Sequence, residues 1–135
     1  MLVVDAGAAA RFLLQLPMSD QIWTTFEAHG HVLHAPELFD VEVLSVLRKL
    51  LLRRDLLPAR ADEAVTDLRA LRLVRHRHDA LLSRTWDLRA NITPYDGLYV
   101  ALTETLGEQA ALLTTDARLA RAVRQQSTAR VVLVA

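Results

Sequence analysis

Apolar residues follow two alternating rhythms along this chain. Short unbroken runs suit strands buried on both faces, and longer stretches with apolar residues every three or four positions suit helices. Leu2-Val3-Val4 reads as a first strand. Ala6 to Gln15 reads as a helix closed by Pro17, and Ser19 as the cap of a second helix running through Trp23 and Phe26 to Gly30. His31 to His34 predicts a second strand. Pro36 predicts the first turn of a long helix reaching about Arg54, with another helix starting near Pro58. Leu71 to Arg75 is a weak third strand, and Leu81 to Ala90 is helical. Thr93-Pro94 opens a helix that Gly107 ends. Ala111 to Thr114, a helix from Asp116 to Gln125, and a strand from Val131 to Val134 complete the pattern.

Strands alternating with helices, each strand continuously apolar, predict an α/β fold with a parallel sheet covered on both faces. In such sheets ligands sit beyond the carboxyl ends of the strands, where strand order reverses. Asp5 and Asp116 follow the first and fourth strands, so the search for chemistry begins there.

Composition narrows the classes. The 135 residues suit a single domain, residues 1–135, and 52% hydrophobic with 24% charged residues marks a globular chain. No cysteine is present, which excludes disulfides, thiolate metal sites and cysteine nucleophiles. No secretory leader and no span-length apolar run is visible, so a soluble, cytoplasmic protein is expected. The net charge of zero argues against a protein that coats nucleic acid by bulk electrostatics. Phosphate-binding glycine loops and G-x-S-x-G are absent.

Four acids stand out. Asp5, Asp96 and Asp116 each sit where a helix begins, and capping would explain each one locally. Glu42 lies on a mainly apolar helix face, where a carboxylate needs a partner. Taken together, four carboxylates above one sheet edge would repel each other unless a cation joined them. Hard divalent ions take such oxygen ligands, keep several waters and bridge to phosphates. That chemistry points to metal-assisted phosphodiester hydrolysis. Glu37 and Asp40 are explained by the dipole of their helix. His29, His31 and His34 fit a single zinc ion poorly, because His31 and His34 would face opposite sides of a strand. The Arg75-His76-Arg77-His78 run reads as a solvated strand end, and Trp23 and Trp86 as core or interface residues. Arg118 and Arg121, on the helix after Asp116, are the candidate phosphate-contacting residues at the rim, and RNA-binding residues if the substrate is RNA.

The segments VVDAGA (3–8), APELFDVEVLSVLRK (35–49), ITPYDGLYVAL (92–102) and LLTTDARLAR (112–121) resemble the PIN-domain nucleases, and within them the VapC-type toxins of toxin–antitoxin pairs. The resemblance implies a PIN-like three-layer sandwich with five parallel strands in the order 3-2-1-4-5. It implies Asp5, Glu42, Asp96 and Asp116 as the catalytic acids, with Asp5, Asp96 and Asp116 on the metal and Thr114 as a polar neighbour. It further implies Mg²⁺ or Mn²⁺, endoribonuclease activity, a homodimer, and inhibition by a cognate VapB-type antitoxin. Two departures stand out. Gly7 replaces a serine common in relatives, and Ala117-Arg118 stand where some relatives carry another acid. These leave a non-catalytic PIN-like protein- or RNA-binding module as the alternative. A phosphoacceptor domain fits less well, because Asp5 has no acidic neighbour and Lys49 is the sole lysine.

Overall fold

The computed structural model describes all residues from Met1 to Ala135. In chain order the elements are β1 (Leu2–Val4), α1 (Ala6–Leu13), α2 (Ser19–Ala28), β2 (Leu33–Pro36), α3 (Phe39–Leu52) and α4 (Pro58–Ala70). They continue with β3 (Leu73–His76), a 3₁₀ turn (Asp79–Leu81), α5 (Leu82–Asp87), α6 (Pro94–Leu106), β4 (Ala111–Thr114), α7 (Ala117–Gln126) and β5 (Arg130–Leu133).

The five strands form one parallel sheet in the order β3-β2-β1-β4-β5. The chain first moves outward from β1 to β3, then crosses back to β4 and on to β5. Right-handed crossovers therefore place α1–α4 on one face and α5–α7 on the other. This is the α/β sandwich and the strand order expected. The centre of the sheet is dry: Leu2, Val3, Val4, Leu112 and Leu113 have no exposed surface. Order reverses between β1 and β4, so the crevice above those two strands is the natural ligand position. No helix is long and apolar enough to cross a membrane.

Several boundaries differ from the sequence pattern, each for a local reason. Gly30 and His31 both take left-handed backbone (φ 80° and 64°), so the turn after α2 consumes His31 and β2 starts at Leu33. Pro36 ends that strand instead of opening a helix. It lies beyond the last β1–β2 pair, Val3 with His34, so its missing N–H interrupts no ladder bond. Ser19 does not cap α2. Met18 holds the cap position with φ 79°, no side chain caps the helix, and the Ser19 N–H is already bonded to Leu16 O in the preceding turn. β3 begins at Leu73 because Leu71 ends α4 in extended backbone. The 81–90 helix is shorter, preceded by the 3₁₀ turn and finished at Asp87. β5 lies one residue earlier than expected.

Candidate active site

Asp5 leaves the end of β1 with its N–H bonded to Leu113 O, so the sheet itself fixes its backbone. Its carboxylate caps α1, with Oδ1 accepting from the Ala8 N–H at 2.7 Å. Asp116 does the same for α7, accepting from the Arg118 and Leu119 N–H groups at 2.8 and 3.1 Å. The Thr114 hydroxyl, fully buried at the end of β4, accepts from the Asp116 N–H at 3.0 Å and lies close enough to the Asp5 carboxylate to favour its charged form. Both caps employ Oδ1 alone, so capping and a second role for the other oxygen coexist. Asp96 lies in the first turn of α6, where Thr93 caps the helix and Pro94 occupies the position proline tolerates. Glu42 lies in the first turn of α3, because that helix starts at Phe39.

The four acids influence one another electrostatically. Burial pushes Asp5 up to about 6, aided by the charges of Asp96 and Asp116 and opposed by Thr114 and the bond from Ala8. Burial likewise raises Glu42, with Asp96 adding to the rise and Tyr99 opposing it. Asp96 is raised by burial and by Asp116, and held back by Thr93 and Arg118. Asp96 thus feels or affects each of the other three acids. This is the convergence that repulsion between like charges would betray.

One residue here had no flag in the sequence. Tyr99, one turn into α6, is almost completely buried, and its hydroxyl donates to Glu42 Oε1 at 2.7 Å. That bond spans 57 positions. A buried tyrosine needs an acceptor for its O–H, and this was the available signal. Tyr99→Phe keeps the packing but withdraws the donor. It is expected to cost about 2 kcal/mol in urea unfolding and to raise the Glu42 pKa further in a carboxyl NMR titration. Unchanged values would mean that Tyr99 does not hold Glu42.

The other flagged residues separate cleanly. Arg118 lines a cleft of about 80 Å³ with Asn91, Thr93, Asp96 and Asp116, while Arg121, one turn on, does not. Asp40 makes a two-bond pair with Arg75 (2.6 and 2.9 Å), and Arg77 pairs with Asp79. His34 faces His76 at 2.9 Å, His78 accepts from the Leu38 N–H, and His29 contacts Thr25 O. The basic run is thus largely engaged within the chain. Neither Trp23 nor Trp86 is in the core: they are 43% and 63% exposed. Gly7 leaves room beside the acids, since a Cβ there would stand 3.6 Å from Asp5 Oδ1 in ordinary contact. The largest cavity, about 810 Å³, lies at the far end of α1 among Phe12, Leu16, Met18 and Trp23 and contains none of the four acids.

The donors at the site are all carboxylate or hydroxyl oxygens, the set a hard divalent ion prefers. No three Asp, Glu or His side chains stand close enough to form a ready-made cage. An ion at this site would bind one or two of the carboxylates directly and reach the others through water.

No family model matches the chain. Individual relatives do. Ribonuclease VapC9 of Mycobacterium tuberculosis is 40% identical over 88% of both chains. The chain belongs to the VapC family of PIN-domain ribonucleases. Ribonuclease VapC12 of the same organism is 34% identical over 90% of this chain and 91% of its own length. Among solved structures, PAE2754 from Pyrobaculum aerophilum superposes with a TM-score of 0.65 over 96% of this chain and 81% of its own, at 18% identity, which supports the fold.

Proposed function

We propose that this VapC-family chain, acting as a single PIN domain, is a metal-dependent endoribonuclease. It would serve as the toxin of a toxin–antitoxin pair, hydrolysing RNA phosphodiester bonds at Asp5, Glu42, Asp96 and Asp116. The observation that carries this is the gathering of the acids at the crevice where strand order reverses: Asp96 and Asp116 line one cleft, Glu42 is bonded to Tyr99 on the Asp96 helix, and Asp5 is fixed against the strand that leads to Asp116. Asp5, Asp96 and Asp116 would hold Mg²⁺ or Mn²⁺ between them, one or two directly and the rest through water. When bound, such an ion acidifies water and offsets the charge that builds on a phosphodiester under attack.

The chain's own groups do the remaining work. Thr114 steadies Asp5 and the backbone of Asp116 from beneath. Tyr99 fixes Glu42, and burial raises the Glu42 pKa, which makes its carboxylate a stronger proton acceptor. Arg118 sets a positive charge at the cleft for a phosphate. The proposal includes a homodimer, a cytoplasmic setting, and a VapB-type antitoxin that silences the toxin by filling the acidic groove.

The test is cleavage of a single-stranded RNA by the purified chain with Mg²⁺, with Mn²⁺ and with excess EDTA. Cutting restricted to the two metal conditions is expected. A melting temperature raised by millimolar Mg²⁺ should accompany it, because an ion that binds only the folded state stabilises that state. Undiminished cutting in EDTA would refute the metal mechanism. RNA binding without turnover in any metal would establish the non-catalytic module instead.

A further inference from the structure

Net charge is zero, and the cleft presents carboxylates to a polyanionic substrate, with Arg118 the single basic residue among those lining it. Electrostatic attraction to phosphates alone is a poor source of affinity for such a surface. Affinity for single-stranded nucleic acid has a second general source, the stacking of bases on aromatic rings and guanidinium planes. The segment from α5 to the first turn of α6 offers both.

Trp86, on α5, is 63% exposed, and the Arg89 guanidinium lies over its ring, 4.5 Å from the centroid. Arg89 makes no ion pair. Its Nη1 donates to Trp86 O, which holds the guanidinium against the ring. Tyr95, adjacent to Asp96, is 61% exposed. Two features tie these groups to the acids. Gly97 lacks a side chain where a Cβ would stand 3.1 Å from Thr85 Cγ2, so α5 sits directly against the first turn of α6. The short link from α5 to α6 then supplies Asn91, Ile92 and Thr93 to the wall of the acidic cleft. Ring and guanidinium thus belong to the segment packed against the first turn of α6, and the phenol and Asp96 belong to that turn itself.

We infer that Trp86, Arg89 and Tyr95 form a stacking platform for the unpaired bases of single-stranded RNA lying across the acidic cleft. The inference rests on the ribonuclease reading for its choice of substrate, and it names the residues that grip that substrate. The platform selects unpaired RNA, because bases within a duplex present no free face. It also explains how a chain of zero net charge holds RNA at physiological salt.

The test uses fluorescence in EDTA, so that binding is read without turnover. Trp23 and Trp86 are the only tryptophans, and Trp23→Phe leaves Trp86 as the sole reporter. Titration with a single-stranded oligoadenylate is expected to quench Trp86 saturably, with a shallow salt dependence. A duplex of the same length and a base-free polyphosphate should leave the emission unchanged. In the intact chain, Trp86→Ala and Arg89→Ala, each checked for folding by circular dichroism, should weaken oligoadenylate binding about tenfold by anisotropy. They should raise KM by a similar factor with kcat little changed. Tyr95→Ala should weaken binding too, and Tyr95→Phe should restore it.

Emission indifferent to oligoadenylate would overturn the platform. So would emission that shifts with protein concentration alone, which would place Trp86 in a contact between copies. The two readings fail separately. Cleavage by Trp86→Ala with unaltered KM would remove the platform and leave the nuclease. Saturable quenching by a chain that cuts no RNA with any metal would remove the nuclease and leave the platform.

Discussion

Asp5→Asn is expected to abolish RNA cleavage and, in the same protein, to raise the melting temperature. The loss of activity, roughly 1000-fold or more, follows if Asp5 supplies charge to an essential ion. The gain in stability follows from burial. Asp5 is 8% exposed, and its pKa stands at about 6 against an ordinary 3.8. The folded protein therefore holds a proton there more readily than the unfolded chain does. The stability linked to that proton is complete below about pH 3.8 and lost as pH rises through 6, so at pH 7.5 the ionised carboxylate is a burden. Relief of that burden is worth at most about 3 kcal/mol, or about 10 °C in a chain of this size.

Asparagine caps helices as well as aspartate, so the bond to Ala8 survives the change. Metal-free wild type should melt higher at pH 5 than at pH 7.5, and Asp5→Asn should shrink that difference. Glu42 and Asp96 shift in the same direction and would retain part of it. A variant that melts below wild type at pH 7.5 would show that the carboxylate's bonds outweigh its burial, contrary to this account.

Gly97→Val should damage both fold and site. Its Cβ would approach Thr85 Cγ2 to 3.1 Å and the Thr85 carbonyl oxygen to 3.6 Å, and its two methyl groups would need space that α5 occupies. Thr85 is itself buried, with an unpartnered hydroxyl, and Gly97 belongs to the buried face of α6. Forcing bulk between packed helices costs about 2–3 kcal/mol, with a further few tenths from β-branching in a helix. Urea unfolding measures this directly. The strain falls one residue from Asp96, so kcat should drop well beyond the loss of folded protein. Normal kcat in the folded fraction would mean that the contact between α5 and α6 does not position Asp96.

Where the sequence was readable, neighbouring residues decided the structure. Thr93, Pro94 and Gly107 bound α6, Pro58 opens α4, and Asp116 caps α7, all through local chemistry. Errors arose where one residue type permits two outcomes. Pro36 suits a helix start or a strand end, and only the short reach of β1 favours the latter. Ser19 suits a cap until the left-handed Met18 beside it takes that place. Near the crevice, the placement of Asp5, Asp96 and Asp116 at helix starts was legible from their positions against the predicted strands. The Tyr99–Glu42 bond and the contact of Thr85 with Gly97 were not. Each joins segments whose proximity is set by the crossing of whole helices, and no local pattern encodes it.

The helix starts at Asp5, Thr93 and Asp116 all open toward the acidic crevice. Each presents the positive end of its peptide dipoles to the carboxylates gathered there. A nest of anions that would otherwise push the sheet edge apart is thus partly neutralised by the backbone before any ion arrives. Under the proposed mechanism, a divalent ion would then meet a site whose backbone already favours the charge it has to join.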